Sequence, residues 1–239
     1  MLKKVLSIFL YLLIGISLTG CQSEKQASAT NQELEFPKLK WGTTEAEAKK
    51  IYKWDTKNSH EIIGKNSKVI KLETKRKLFG EPTGRIEFEF YNDGNDVYRL
   101  LDVTAYYTKE ADVNKILNKM EKSYGISIKN EEQYGYLPFA DKQTFGILSL
   151  PNNITTYNWK SKTISQTVSD KNQLQDLRKK LKKYYKGIDN EENWDTLINK
   201  VPLVKVFIAT VEDDEQSPFQ TKVVFDGSML FITDQTSEE

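Results

Sequence analysis

The chain carries one cysteine, Cys21, and one histidine, His60, among 239 residues, and these two counts close most routes to reaction chemistry. A single imidazole provides neither a histidine metal cluster nor a second ring for a proton relay. His60 stands in the polar run Asn58-Ser59-His60-Glu61, the setting of a solvated ring and not of a buried base. There is no Gly-x-Ser-x-Gly elbow, no Ser-x-x-Lys pair and no phosphate-cradling glycine loop. The acidic turn Tyr91-Asn-Asp-Gly-Asn-Asp96 lacks the ligand spacing and terminal bidentate glutamate of a calcium loop, and its Asp-Gly supplies the positive φ of a tight hairpin. The 34 Asp and Glu residues leave paired-carboxylate chemistry as the one open route, as in glycoside cleavage, although spacing along the chain brings no two of them to the needed separation. No metal, no cofactor and no catalytic residue is therefore expected.

Cys21 has its own setting. Lys3 and Lys4 precede an apolar run from Val5 to Leu18, and Leu18-Thr19-Gly20-Cys21 follows at once. The run is too short to span a bilayer, which takes about 20 apolar residues. A basic start, a short apolar core and small residues before a cut site describe a secretory signal peptide. The ending Leu-Thr-Gly-Cys closely resembles the lipobox of bacterial lipoproteins. That resemblance implies diacylglyceryl transfer to the Cys21 sulfur, cleavage between Gly20 and Cys21, and a mature chain held on the membrane by acyl chains.

Removing residues 1–20 takes away two lysines and no acid, which turns a formal charge of +1 into −1. A nucleic-acid partner is not expected from such a balance, and no cysteine remains for a disulfide. Only Arg76, Arg85, Arg99 and Arg178 are arginines. Lysine richness with many Asn and Ile points to an AT-rich genome of the low-GC Gram-positive kind, which places the expected anchor on the outer face of the cytoplasmic membrane. Residues 21–35 are polar and aperiodic, the composition of a flexible tether.

From Phe36 the pattern becomes that of a folded chain. Thr44 and Glu47 form a capping box, which predicts a short helix over about 45–54. Trp41 and Gly42 before it read as a packing knob and a tight turn, with Trp41 as a ligand platform in the functional alternative. Residues 60–107 alternate as strands: Ile70 and Leu72 share one face, Ile86, Phe88 and Phe90 another with Glu87 and Glu89 opposite, and Leu101, Val103, Ala105 and Tyr107 repeat the period of two. Val113, Ile116, Leu117, Met120 and Tyr124 have helical spacing, and Gly125 ends that helix. Strands are predicted at 144–150 and 155–168. Tyr134, Tyr136, Phe139 and Phe145 make an aromatic-rich loop that would serve either recognition or core packing.

Trp41-Gly42 before a capped helix, Leu78-Phe79-Gly80-Glu81-Pro82 leading into Arg85-Ile-Glu-Phe-Glu-Phe90, a helix ending Ser123-Tyr124-Gly125, and a strand with Trp159 together resemble, over about 36–168, small secreted lipoproteins with the β-lactamase-inhibitory-protein-like fold. The resemblance implies an α+β fold with helices packed on one face of an antiparallel sheet, the other face or the loops being free to bind proteins. It brings no catalytic residue with it.

Beyond 169, Asp170 and Gln173 predict a helix carrying Leu174, Leu177, Leu181 and Tyr184. Its basic face (Arg178, Lys179, Lys180, Lys182, Lys183, Lys186) is balanced by Asp189, Glu191 and Glu192. A helix at 191–200 and strands at 203–212, 220–226 and 229–233 follow. This order loosely echoes the first half and allows two related small α+β units, with 170–239 either its own domain or an extension of 36–169. The expected role is that of a membrane-anchored, extracytoplasmic, non-enzymatic module binding a protein or envelope component, with Trp41, Tyr134, Tyr136 and Phe139 as candidate contact residues. The alternative is a cell-wall-modifying hydrolase that uses paired carboxylates.

Overall fold

A computed structural model of the chain describes residues 34–130, 133–135, 146–148, 154–182, 186–211 and 219–232. Gly20, Cys21, Tyr136, Phe139, Phe145 and Tyr184 lie outside them, and of Tyr134 only the backbone is described.

The capping box opens the first helix as its residues require: the Glu47 N–H donates to Thr44 Oγ1 at 3.4 Å, and the Thr44 N–H donates back to Glu47 Oε2 at 3.1 Å. Helix α1 (Glu45–Tyr52) leads into strands β1 (Ser59–Ile63), β2 (Ser67–Glu73), β3 (Lys77–Leu78), β4 (Glu81–Asn92) and β5 (Tyr98–Thr108). Gly94, at φ +84°, turns β4 into β5. Helix α2 (Val113–Tyr124) is capped by Asp112, whose Oδ1 accepts from the Lys115 N–H at 3.2 Å. Then come β6 (Ile128–Lys129), β7 (Gln133–Gly135), β8 (Gly146–Leu148), β9 (Ile154–Lys160), α3 (Ile164–Thr167), α4 (Lys171–Lys182), a 3-10 turn (Lys186–Asp189), α5 (Glu191–Asn199), β10 (Lys205–Val211), β11 (Phe219–Asp226) and a second 3-10 turn (Ser228–Phe231).

The fold is α+β, built on a nine-stranded antiparallel sheet in the order β1-β2-β4-β5-β11-β10-β9-β6, with β3 paired to β4. Strands β11 and β10 come from the last part of the chain yet lie between β5 and β9. Residues 170–239 therefore share a sheet with 36–169, and Val206, Ile208, Val223 and Phe225 share its core. Helices α1 and α2 pack on one face through Ala48, Tyr52, Ile116, Met120 and Tyr124. Phe36 is the centre of this layer, edge-on to Phe88 and Phe225 with ring centroids 6.1 and 5.2 Å away. Such aromatic contacts add about 0.5–1.5 kcal/mol each beyond the area they bury. Leu34 is buried, and the Glu35 carbonyl accepts from Tyr124 Oη at 2.8 Å, so these two residues belong to the folded layer. Helices α3 to α5 close a second, smaller core in which Ile164, Leu181, Ile188, Trp194, Leu197 and Ile198 meet Met229 and Ile232.

Three local expectations change. The strand predicted over 155–168 stops at Lys160, because Thr163 and Gln166 cap a helix start, the Thr163 N–H donating to Gln166 Oε1 at 3.0 Å. The strand predicted at 229–233 is instead the turn Ser228–Phe231, with Asp226 Oδ1 accepting from both the Ser228 N–H (2.9 Å) and its hydroxyl (2.6 Å). Leu101 does not continue the inward series. The register passes from Glu89↔Asp102 to Phe90↔Leu100, so Leu101 is the extra residue of a bulge and Leu100 takes the core position.

Candidate functional site

Because side chains alternate along a strand, putting Phe88, Val103, Phe225 and Val206 into the core sends their neighbours to the opposite face. There the cross-strand registers line up one row over seven strands, Ile62–Val69–Glu89–Asp102–Asp226–Lys205–Lys160. Three acids thus stand directly side by side on β4, β5 and β11. Directly opposed residues of antiparallel strands have Cα atoms about 4.5–5.5 Å apart, which brings like charges into strong contact.

The row differs from its surroundings in how its charges are matched. In the next row, Glu87 is ion-paired to Arg85 (3.0 Å) and Lys71 (3.5 Å) and accepts from Tyr106 Oη at 3.1 Å. Arg85 in turn packs over the Tyr106 and Phe219 rings, 4.4 and 5.1 Å from their centroids. Among the described residues, Glu89, Asp102 and Asp226 have no ion-pair partner. Asp102 keeps only a long hydroxyl contact from Thr104, 3.3 Å. Burial, then the Asp226 and Glu89 charges, hold the Asp102 carboxyl well above the ordinary carboxylate range against the opposing pull of Thr104 and Lys222. Burial likewise raises Glu89, with Asp226 and Glu87 adding to it. A carboxyl raised in this way takes up a proton more readily than a free one. The three acids do not converge on one point: among the described residues no group of His, Cys, Asp and Glu is arranged to hold a metal ion.

The row ends at an open strand. β1 pairs with β2 alone, in an unbroken register from Ser59↔Leu72 to Ile63↔Lys68, and among the described residues no strand pairs with its outer side. Ile62 and Ile63 are 45% and 67% exposed there. Its one acid, Glu61, is held by Lys68 at 3.1 Å, and Lys68 also reaches Glu45 at 2.9 Å.

Against family models, curated proteins and solved structures, the chain finds no match. Among the described residues no helix is long and apolar enough to cross a membrane.

Of the residues singled out from the sequence, Trp41 is half-buried and occupied with packing. Its indole lies against Gly227, and its Nε1–H donates to the Leu34 carbonyl at 3.1 Å. It joins the two ends of the fold and stands apart from the acid row in sequence and in hydrogen bonding. Tyr134 lies on β7, which among the described residues pairs with β8 alone, in a separate two-stranded sheet. His60 is on β1, opposite Lys71. Spacing along the chain does not mark Glu89, Asp102 and Asp226 as one site. Alternation places Glu89 and Asp102 on the outward side of their strands, but only the pairing of β11 with β5 makes three separate acids one row.

Proposed function

We propose that the chain is a membrane-tethered, non-enzymatic binding module on the outer face of the cytoplasmic membrane, and that its partner is a protein whose extended segment adds to the outer edge of β1. The observation that carries this reading is the edge itself. A free strand edge presents a row of unpaired N–H and C=O groups, and folded proteins blunt such edges by shortness, charged side chains, proline or a bulge. β1, Ser59-His60-Glu61-Ile62-Ile63, has no lysine, proline or bulge, and its one acid, Glu61, is neutralised by Lys68. Main-chain pairing gives an added strand its affinity and alternate side-chain positions its specificity. A five-residue edge makes a small, short-lived contact, and a lipid anchor at Cys21 offsets that weakness by keeping both partners at high effective concentration on one surface.

The test is a photo-crosslinker placed at Ile63 of the lipidated chain in membranes, with a second probe at exposed Lys122 on α2 as control. One protein captured at 63 and not at 122, through an extended segment, is the expected result, and Ile62→Lys should abolish the capture. Crosslinks to other copies of this chain alone, or the same products from both positions, overturn the reading.

The acid row favours a second reading, a cell-wall hydrolase with Asp102 as its proton donor. Purified cell wall distinguishes the two: release of soluble fragments by the protein, lost in Asp102→Asn, supports the hydrolase, and no release leaves the binding module.

A further inference from the structure

The row of acids is costly where it stands. Three carboxylates lie side by side on β4, β5 and β11, and none of them has a cation within ion-pair distance among the described residues. Yet one of them has a structural task, as the acceptor on which the following turn is built. Asp226 Oδ1 accepts both the N–H and the hydroxyl of Ser228, and so starts the turn that follows β11. That turn delivers Met229 and then Ile232 into the core closed by Leu181, Trp194 and Leu197, and it sets the Phe231 ring 5.1 Å from Tyr91. The sheet and the helical core are therefore joined at the end of β11 through a carboxylate whose neighbours are carboxylates.

We propose that Glu89, Asp102 and Asp226 form a proton-operated latch, in which a proton kept within the row leaves Asp226 charged to hold Ser228, and loss of that proton loosens the Gly227–Ile232 turn and the helical core seated on it. Asp102 is the proton's place, because it is the middle member and faces a charge on each side. The groups around the row do not relieve it. From β4, Glu87 adds a further negative charge, and Arg85 is engaged with Glu87, Tyr106 and Phe219. From β2, Lys71 is paired to Glu87. Lys222 of β11 lies two rows away beside Tyr106, where it acts on Asp102 more weakly than either acid. Lys205 of β10 is the register neighbour of Asp226, but its ammonium lies over the Phe207 ring, 5.2 Å from the centroid. Lys160 is one strand further on. The turn, Ser228-Met229-Leu230-Phe231, brings no ionisable group.

With the row fully ionised, repulsion between Asp102 and its neighbours bears on the β5–β11 register at Asp226.

The test is amide hydrogen exchange on the complete chain, corrected for the intrinsic pH dependence of exchange and read between pH 5 and pH 9. Protection of Ser228, Leu230 and the α5 amides should fall with rising pH, approaching about tenfold per pH unit where one proton is released. Ile116 and Met120 of α2 should not follow. Asp102→Asn should keep the protection at high pH that the wild type shows only at low pH, and Glu89→Gln should give a shallower profile. A wild-type profile without slope overturns the proposal, as does a slope that survives in Asp102→Asn. If either variant fails to fold, the wild type decides: carboxyl-carbon NMR that places the ionisation of Asp102 above the ordinary carboxylate range and at the pH where Ser228 protection falls upholds the latch, and ionisation in the ordinary range or away from that pH overturns it.

Discussion

Trp41 lies against Gly227 so closely that a Cβ added at 227 would stand 2.5 Å from the indole Cε3 and 2.7 Å from Cδ2. Gly227 has φ −108°, a value open to any residue, so the glycine is required by the space the ring takes and not by the backbone angle. Gly227→Ala must therefore move the ring, and with it the Leu34 carbonyl that Trp41 Nε1–H reaches. Overpacking of this kind costs about 1–3 kcal/mol. A lowered urea midpoint with an unchanged slope is expected. A midpoint equal to that of the wild type would show that the ring has room the structure does not give it.

Arg178 ties the helical core together from a single side chain. Its guanidinium donates to the Ile188 carbonyl from Nε (3.3 Å) and Nη2 (3.2 Å), to the Asp189 carbonyl at 3.3 Å and to Glu191 Oε1 at 2.7 Å, and it lies over the Trp194 ring. A lysine can reach one of these acceptors but cannot match the fork or the stacking. Arg178→Lys should cost about 1–3 kcal/mol, because the partly buried Ile188 carbonyl loses the charged fork that donates to it. The loss should be local. Faster amide exchange in α4 and α5, with exchange in α2 and β4 unchanged, is the expected pattern, whereas a uniform increase would mean that the two cores unfold as one unit.

Stability should also fall on the acid side, for the opposite reason to the latch. Hydrogen bonding to Arg99 and to backbone N–H groups holds Asp93 below the ordinary carboxylate range, and hydrogen bonding to Lys115 lowers Glu81. A carboxyl depressed in the folded state contributes stability that is present above its unfolded value, about pH 4, and is lost as pH falls through its folded value. Asp102 is raised, so its contribution is present below about pH 4 and is lost as pH rises toward its folded value. A maximum in mildly acidic solution follows. Asp93→Asn should lower the urea midpoint slightly at neutral pH and should match the wild type near pH 2. A difference that persists at pH 2 would locate the effect in the Asn92–Asp96 turn and not in the charge.

Local features were legible in the sequence because their causes are local. Thr44 with Glu47, Gly125 after Tyr124, and the alternation of Ile86, Phe88 and Phe90 each act within a few residues. Where two local signals competed, the shorter one won in the fold. Tyr157 and Trp159 keep a period of two, yet Thr163 and Gln166 cap a helix a few residues on, and the apolar segment that begins at Met229 is curled by Asp226 just before it. The bulge at Leu101 left no compositional trace, since Leu100 and Leu101 are equally apolar. The acid row was not legible because it depends on which strands become neighbours. β11 joins β5 across the whole intervening length of β6 to β10, and nothing within either strand specifies that pairing.

The anchor remains the functional claim that rests on sequence alone, and it can be tested directly. If Leu18-Thr19-Gly20-Cys21 works as the lipobox it resembles, acyl transfer to the thiol precedes cleavage, so a hydroxyl at 21 should block both steps. Wild-type protein should resist extraction from membranes by high salt, since two acyl chains at about 0.8 kcal/mol per buried methylene bind far more firmly than surface charge does. Its intact mass should equal residues 21–239 plus a diacylglyceryl group, with or without a further acyl chain on the new amino terminus. Cys21→Ser should carry the full leader mass and no lipid. A wild-type chain that begins at another residue, or a Cys21→Ser chain that is cut and retained on membranes like the wild type, would remove the anchor and with it the high local concentration on which the β1 edge relies.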